Sequence, residues 1–296
     1  MATTYRVIHR TEYRYEADVS PSYSQLHLAP RDLPGQRCLS TEIVVDPTPD
    51  DYRERVDFFG NRVAYVAIQE PHRSLTVTAT SIVDVEDLGS GVSLFADRPW
   101  EEVRDHVRAT HTPDAIDAVQ FVLDSPVVAA SPLFSEYAAP SFPPGRHLLD
   151  AVTDLSSRIH RDFTYKPGAT SVGTTLDDVF ARREGVCQDF AQVGIACLRS
   201  VGLPARYVSG YLETDPPPGR PKLDGADVSH AWLSVYVPQG GWVGVDPTND
   251  QLVSDRYVTT AYGRDYSDVP PLSGVMYTEG RAERPRVLVD VVALPG

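Results

Sequence analysis

The chain has 296 residues, of which 42% are hydrophobic and 23% are charged, a composition that excludes wholesale disorder and predicts about two globular units. Its 41 acidic and 27 basic residues give a net charge of −14, which repels nucleic-acid phosphates and anionic lipid, so we expect neither nucleic acid nor a membrane as a partner. The N-terminal residues lack a basic segment followed by an apolar run, and no stretch approaches the ~18 apolar residues of a membrane span, so we expect a cytoplasmic protein.

The N-terminal third alternates β-rich segments with turn signals. The β-rich segments cover residues 5–9, 23–28, 42–45, 63–68 and 75–83. Pro, Asp and Gly residues between them, as in 29–35 and 59–62, supply the turn chemistry. Short strands with frequent turns predict a β-sandwich domain over residues 1–90.

Helical patterns follow the β-rich region. Pro99 suits the first turn of a helix that begins near residue 98, and residues 113–123 form a second candidate helix, so residues 91–145 are predicted to be a helical linker region. Leu148, Val152, Leu155 and Ile159 then repeat at spacings of four, three and four. This spacing predicts one apolar helical face in the core of a second domain over residues 146–296. His160 follows in the last helical turn, where positive charge suits the helix dipole, and we interpret it as structural.

Residues 174–202 predict a short helix, a break at Gly185 and a longer helix that begins at Cys187. A helix N-terminus presents unpaired N–H groups and partial positive charge, which stabilise a thiolate, so we expect Cys187 to have a lowered pKa and to act as a nucleophile. Taken alone this is weak support, since a cysteine at a helix start is more often accidental than catalytic.

The other two cysteines, Cys38 and Cys197, are expected to be small buried hydrophobic residues. The sequence contains no Cys-x-x-Cys or His-Glu-x-x-His pattern. We therefore expect neither a disulfide framework nor a metal site.

Two strands that alternate in polarity carry the remaining candidate residues. Residues 229–237 and 241–246 each place apolar side chains on one face, which leaves His230 and Asp246 together on the other face. A five-residue loop over residues 236–240 would place His230 directly opposite Asp246, with Cβ atoms about 4.5–5.5 Å apart. A His–Asp pair alone is more often a structural contact. With Cys187, the pair supplies the nucleophile, base and orienting acid that covalent catalysis requires.

Five motifs in this order resemble the transglutaminase-like core. They are Phe163-Thr-Tyr-Lys-Pro-Gly, Gly185-Val-Cys-Gln-Asp-Phe-Ala, Gly202-Leu-Pro-Ala-Arg-Tyr-Val-Ser-Gly-Tyr, Ser229-His-Ala-Trp and Val245-Asp-Pro-Thr-Asn. Residues 3–85 resemble the β-rich domain that precedes this core in bacterial members. The resemblance implies an α+β protein, with an N-terminal β-sandwich followed by a papain-like core of helices packed on an antiparallel sheet.

The same resemblance implies that Cys187 is the nucleophile, His230 the general base and Asp246 the orienting acid, with no cofactor. The Cys187 N–H is a candidate oxyanion donor, and Tyr165 is a second candidate. Trp232 is a candidate for the acyl pocket, and a core role is the alternative.

Three functions remain open at this stage. Hydrolysis of a peptide or protein amide is favoured, because no Asp-x-Asp-x-Asp loop indicates the calcium regulation that a cross-linking enzyme would need. Transfer of the acyl group to an amine, as in a protein-glutamine transglutaminase, is the nearest alternative. A non-catalytic binding scaffold is the third.

Overall fold

The computed structural model describes residues 2–86, 98–110, 112–171, 173–214, 227 and 229–295. Residues 91–97 of the predicted linker lie outside this part of the chain. Within it, the strands are β1 (Ala2–Leu26), β2 (Gln36–Asp46), β3 (Asp51–Val56), β4 (Arg62–Ile68), β5 (His72–Glu86), β6 (Thr164–Tyr165), β7 (Glu184–Gly185), β8 (Ala205–Leu212), β9 (Ser229–Val237), β10 (Gly241–Asp246), β11 (Gln251–Leu252), β12 (Tyr257–Gly263), β13 (Leu272–Thr278) and β14 (Arg286–Ala293). The α-helices are α1 (Trp100–Ala109), α2 (Pro113–Val119), α3 (Pro132–Ala138), α4 (Leu148–Asp162), α5 (Leu176–Arg182) and α6 (Cys187–Ser200).

The N-terminal region is built around the long strand β1. Strands β2, β5, β1, β4 and β3 lie in this order, and β13 and β14 also pair with β1. The first half of β1 lies between β5 and β14, whereas its last residues lie between β4 and β13. Residues from β1, β2, β4 and β5 enclose a common apolar core. The predicted strand-rich N-terminal region is confirmed.

The last two strands return to the N-terminal sheet. The sequence-based division places residues 146–296 in one catalytic core. In the structure, residues 5–12 of β1 pair antiparallel with β14, and residues 19–26 pair with β13. The chain therefore leaves the core after β12 and finishes beside its own first strand, which ties the two regions together.

The core is an antiparallel sheet covered by helices, as predicted. Its strand order is β11-β10-β9-β8-β12, and α6 packs against β8 and β9 while α3, α4 and α5 pack around α6. One apolar cluster includes Ile195 from α6, Leu155 from α4 and Leu233 from β9. A Cβ atom at Gly194 would collide with the Leu233 side chain, so glycine is what allows α6 to approach β9 this closely.

Polar side chains of the N-terminal sheet bond directly to the core sheet. His9 Nδ1 lies 3.1 Å from the Tyr211 hydroxyl, and the Gln36 side chain bonds both the backbone N–H and the carbonyl of Thr259, at 2.7 and 2.8 Å. Apolar side chains from both regions meet beside these bonds. The N-terminal sheet is thus docked on the strands β8 and β12. Among the described residues, no helix is both long and apolar enough to cross a membrane.

Candidate active site

Cys187 is the first residue of α6, as predicted, and is partly exposed. The first turn of this helix is closed by Asp189, whose Oδ2 accepts hydrogen bonds of 2.8 Å from the Val186 N–H and the Thr170 hydroxyl. Gly185 precedes the turn, and a Cβ there would lie 2.8 Å from the Asp189 side chain. The Gly-x-Cys sequence is therefore explained by the close approach of the carboxylate that holds the helix start.

His230 and Asp246 form a buried pair with 2.6 Å between His230 Nε2 and Asp246 Oδ2. They lie on one face of the sheet, as the alternation predicts. The predicted register, however, is wrong by two residues: Val237 pairs with Gly241 and Val235 with Val243. The turn is tighter than expected because Gln239 and Gly241 adopt positive φ angles of 66° and 79°. Asp246 consequently reaches His230 diagonally from the end of β10.

Cys187 lies beside the His230 ring, since its thiol is one of the groups that raise the pKa of His230. Nε2 bonds Asp246, so Nδ1 is the nitrogen that is left to interact with the thiol. The structure thus brings together all three residues that the sequence singled out. They come from a helix start, the beginning of one strand and the end of the next.

Three groups that sequence reasoning missed hold the Asp246 carboxylate. Oδ2 accepts hydrogen bonds from Asn249 Nδ2 and from the Tyr257 hydroxyl, both at 2.7 Å, and Oδ1 accepts from the Thr248 N–H at 2.9 Å. Thr248 and Asn249 stand in the fifth motif, so their closeness to Asp246 was visible. Tyr257 comes from another strand, and no local pattern indicates it.

The site favours charge on both members of the pair. Burial opposes the imidazolium, but hydrogen bonds with Asp246 and Cys187 and the charges of these groups raise the pKa of His230 to about 10. Burial likewise opposes the carboxylate of Asp246, yet the hydrogen bonds from His230, Asn249 and Tyr257 keep its pKa below the usual value. At neutral pH, His230 is therefore an imidazolium that lies between the Asp246 carboxylate and the Cys187 side chain.

Two tyrosines also lie near Cys187. Tyr165 is 48% exposed and Tyr207 is buried. The pKa of each is raised first by burial and further by the charge of Cys187. Tyr165, the candidate oxyanion donor, is thus the exposed neighbour of Cys187, and Tyr207 is the buried one.

The remaining predicted residues have structural surroundings. Trp232 is 1% exposed and packs edge-on against Tyr257, at 5.1 Å between ring centroids, which favours the core role over the acyl pocket. Cys197 is buried as expected, whereas Cys38 is partly exposed on β2. His160 Nδ1 lies 2.9 Å from the Thr248 carbonyl oxygen, so its contact holds the loop after Asp246. Among the described residues, no group of three His, Cys, Asp or Glu side chains could hold a metal ion.

Comparison with known protein families gives two matches. The model of the bacterial transglutaminase-like N-terminal region matches residues 5–84, and that of the transglutaminase-like superfamily matches residues 137–247. The second range contains Cys187, His230 and Asp246. The two ranges correspond to the N-terminal sheet and to most of the helix-covered core.

Similar proteins occur in mycobacteria and other bacteria. The uncharacterized protein Rv2569c of Mycobacterium tuberculosis is 48% identical over 99% of this chain and 93% of its own length. A protein-glutamine gamma-glutamyltransferase of Pseudomonas aeruginosa is 38% identical, but over only 30% of this chain and 14% of its own length. In crystal structures, a Cytophaga hutchinsonii protein considered to be a cysteine protease has the same fold, with a TM-score of 0.76 and 22% identity over 100% of this chain and 93% of that one.

Proposed function

This chain belongs to the transglutaminase-like superfamily, and from that premise we propose that it is a cysteine enzyme that cleaves amide bonds of peptides or proteins through an acyl-thioester on Cys187. The observation that carries the proposal is the chain of contacts from the Cys187 thiol to His230 and from His230 to Asp246, with 2.6 Å between the last two. A thiol, an imidazole and an orienting carboxylate are the parts that an activated nucleophile needs.

The proposed reaction has two stages. The Cys187 sulfur, as a thiolate beside the His230 imidazolium, attacks the carbonyl carbon of the amide, and a tetrahedral oxyanion forms. His230 then donates its proton to the leaving amine as the C–N bond breaks, which leaves the thioester and a neutral imidazole. Asp246 holds the ring and stabilises its positive charge. The Cys187 N–H at the helix start, with Tyr165 as a second donor, would bind the oxyanion.

Water completes the reaction in our proposal. His230 takes a proton from water, the hydroxide attacks the thioester carbonyl, and the C–S bond breaks, which releases the carboxylic acid and restores the Cys187 thiolate beside the His230 imidazolium. An amine in place of water would make the enzyme a transglutaminase. The local similarity to the Pseudomonas aeruginosa gamma-glutamyltransferase is the observation that favours transfer to an amine as a second candidate function.

The chemistry is testable without the natural substrate. p-Nitrophenyl acetate is an activated acyl donor, so wild-type protein should release a burst of p-nitrophenolate and gain one acetyl group on Cys187, seen by mass spectrometry of the intact and digested protein. Cys187→Ala should give neither signal, whereas Cys38→Ala should behave as the wild type. Acetylation that persists in Cys187→Ala, or a wild type that is never acetylated, would sink the proposal and favour a binding scaffold.

The same experiment separates hydrolysis from transfer. Methylamine at millimolar concentration is added to the acetylated enzyme, and the products are followed by mass. Hydrolysis predicts acetate as the main product, because water near 55 M outcompetes an amine that has no dedicated pocket. A product that is mostly N-methylacetamide would make transfer the function.

A further inference from the structure

A cavity of about 390 Å³ lies behind the catalytic residues, between the two sheets. Residues 33–36 and 85–86 of the N-terminal region form one wall. The facing wall is the side of the core sheet that carries Arg206, Trp232 and Trp242. We call this space the rear cavity. Its volume lies in the range of pockets that hold small organic molecules.

Arg206 lines the rear cavity and has no counter-ion among the described residues. Arg206 is 8% exposed, and its guanidinium carbon lies over the rings of Trp242 and Tyr262, at 4.3 and 3.6 Å from their centroids. Tyr262 favours its positive charge. The Arg206 Nε–H, however, has no hydrogen-bond partner among the described residues, and none of their carboxylates offsets the charge. The neighbouring charged side chain is another cation, Arg31. Burial lowers the pKa of Arg206 to about 9, so it remains charged at neutral pH.

A buried cation without a counter-ion costs stability, and a chain without use for the charge would be more stable with an apolar residue there. Two other polar side chains in the cavity lining, Gln36 and Tyr257, already have hydrogen-bond partners. The Gln36 side chain bonds Thr259 and Arg31, and the Tyr257 hydroxyl bonds Asp246 and Gln251. Arg206 is therefore the side chain in the cavity whose positive charge an anionic ligand would balance.

The other lining residues indicate what kind of anion would fit. Trp232, Val208 and Leu252 are apolar, and the acidic residue Glu86 is exposed, where water screens its charge. We propose that the rear cavity is a binding site for a small organic carboxylate, whose charged end pairs with Arg206 and whose apolar body lies against Trp242 and Leu252.

The rear cavity lies near the catalytic pair, but its lining does not include Cys187. Trp232 and Tyr257 line the cavity and also lie beside His230, each with 6.1 Å between ring centroids. Tyr257 bonds Asp246, which binds the Nε2 edge of His230, whereas Cys187 occupies the other edge. A ligand in the rear cavity would thus touch the support of the catalytic pair without touching the nucleophile.

Calorimetric titration of the whole protein with 2-naphthoate, and with the uncharged naphthalene-2-carboxamide of the same shape, tests the proposal without using catalysis. The wild type should bind the carboxylate about tenfold or more tightly than the amide, since a hydrogen bond to a charged group is worth that factor. Arg206→Met should lose this preference. Arg73→Met, at an exposed position on the N-terminal sheet, should keep it.

Each result decides for or against the site. Equal binding of the two compounds by the wild type, no binding of either, or an unchanged preference in folded Arg206→Met would overturn the proposal. If Arg206→Met does not fold, Ser234→Leu replaces it. Ser234 lines the cavity and is buried, so the larger side chain should weaken binding of both compounds, and undiminished binding would place them elsewhere.

Discussion

The N-terminal sheet and the core sheet both bury polar side chains, but these side chains face different partners. In the N-terminal sheet, His9, Gln36 and Asn61 reach across to the core. Asn61 is fully buried and bonds both the backbone N–H and the carbonyl of Tyr262. These contacts satisfy backbone or side-chain groups at the junction of the two sheets, so they hold the molecule together.

In the core sheet, the polar side chains converge on one carboxylate. His230, Asn249 and Tyr257 all bond the same oxygen of Asp246, which is itself 0% exposed. In the proposed mechanism, four polar groups gathered in this way position the base His230 rather than join two elements. Loss of a junction contact should therefore reduce stability at constant activity, and loss of a contact to Asp246 should reduce activity with little effect on stability.

The largest effect is expected at Asp246. Asp246→Asn fills the same space but cannot stabilise the His230 imidazolium, so the rate of Cys187 acetylation should fall by about 10²–10⁴. The variant should remain folded, as judged by its circular dichroism and thermal unfolding. Activity close to that of the wild type would make Asp246 a structural residue. The contacts of the core sheet would then serve stability, as those of the N-terminal sheet do.

The three thiols give the second test. Burial raises the pKa of Cys38 above its ordinary value and raises that of Cys197 to about 12, whereas Cys187 is partly exposed beside an imidazolium. Cys187 should therefore react with iodoacetamide at least about tenfold faster than either at pH 7. Peptide mapping after partial alkylation measures the three rates. Faster labelling of Cys38 or Cys197 would contradict the assignment.

The comparison also explains what the sequence could and could not predict. Alternating polarity in β9 and β10 placed His230 and Asp246 on one face, because side-chain direction depends on local spacing. Their register needed the turn conformation at Gln239, which the residue types did not reveal. Tyr257 depended on β12 lying at the other edge of the sheet, and the pairing of β14 with β1 joins opposite ends of the chain. Such long-range contacts leave no local pattern.

Acidification should weaken the junction through His9. Burial lowers the pKa of His9 from 6.5 to about 4, so the folded state binds fewer protons than the unfolded state between these values. The free energy of unfolding is therefore highest above about pH 6.5. It falls by about 3 kcal/mol in total as the pH is lowered to 4. Urea unfolding at pH 7 and pH 5 should detect about 2 kcal/mol of this loss. His9→Gln should remove this part of the pH dependence, and an identical pH dependence in the variant would show that His9 does not contribute.

The smallest expected effect comes from removing a single hydroxyl group, either that of Tyr257 or that of Tyr211. Tyr257→Phe removes one of the hydrogen bonds that hold Asp246, and a hydrogen bond to a charged group is worth at least about tenfold, so the acetylation rate should fall by roughly that factor. Tyr211→Phe is the matched control, because its hydroxyl bonds His9 at the junction instead. We expect Tyr211→Phe to lower the unfolding free energy while the rate per folded molecule stays the same. If both variants lose the same activity, the Tyr257 hydroxyl acts through general packing. The rule that contacts to Asp246 affect activity and junction contacts affect stability would then not hold for Tyr257.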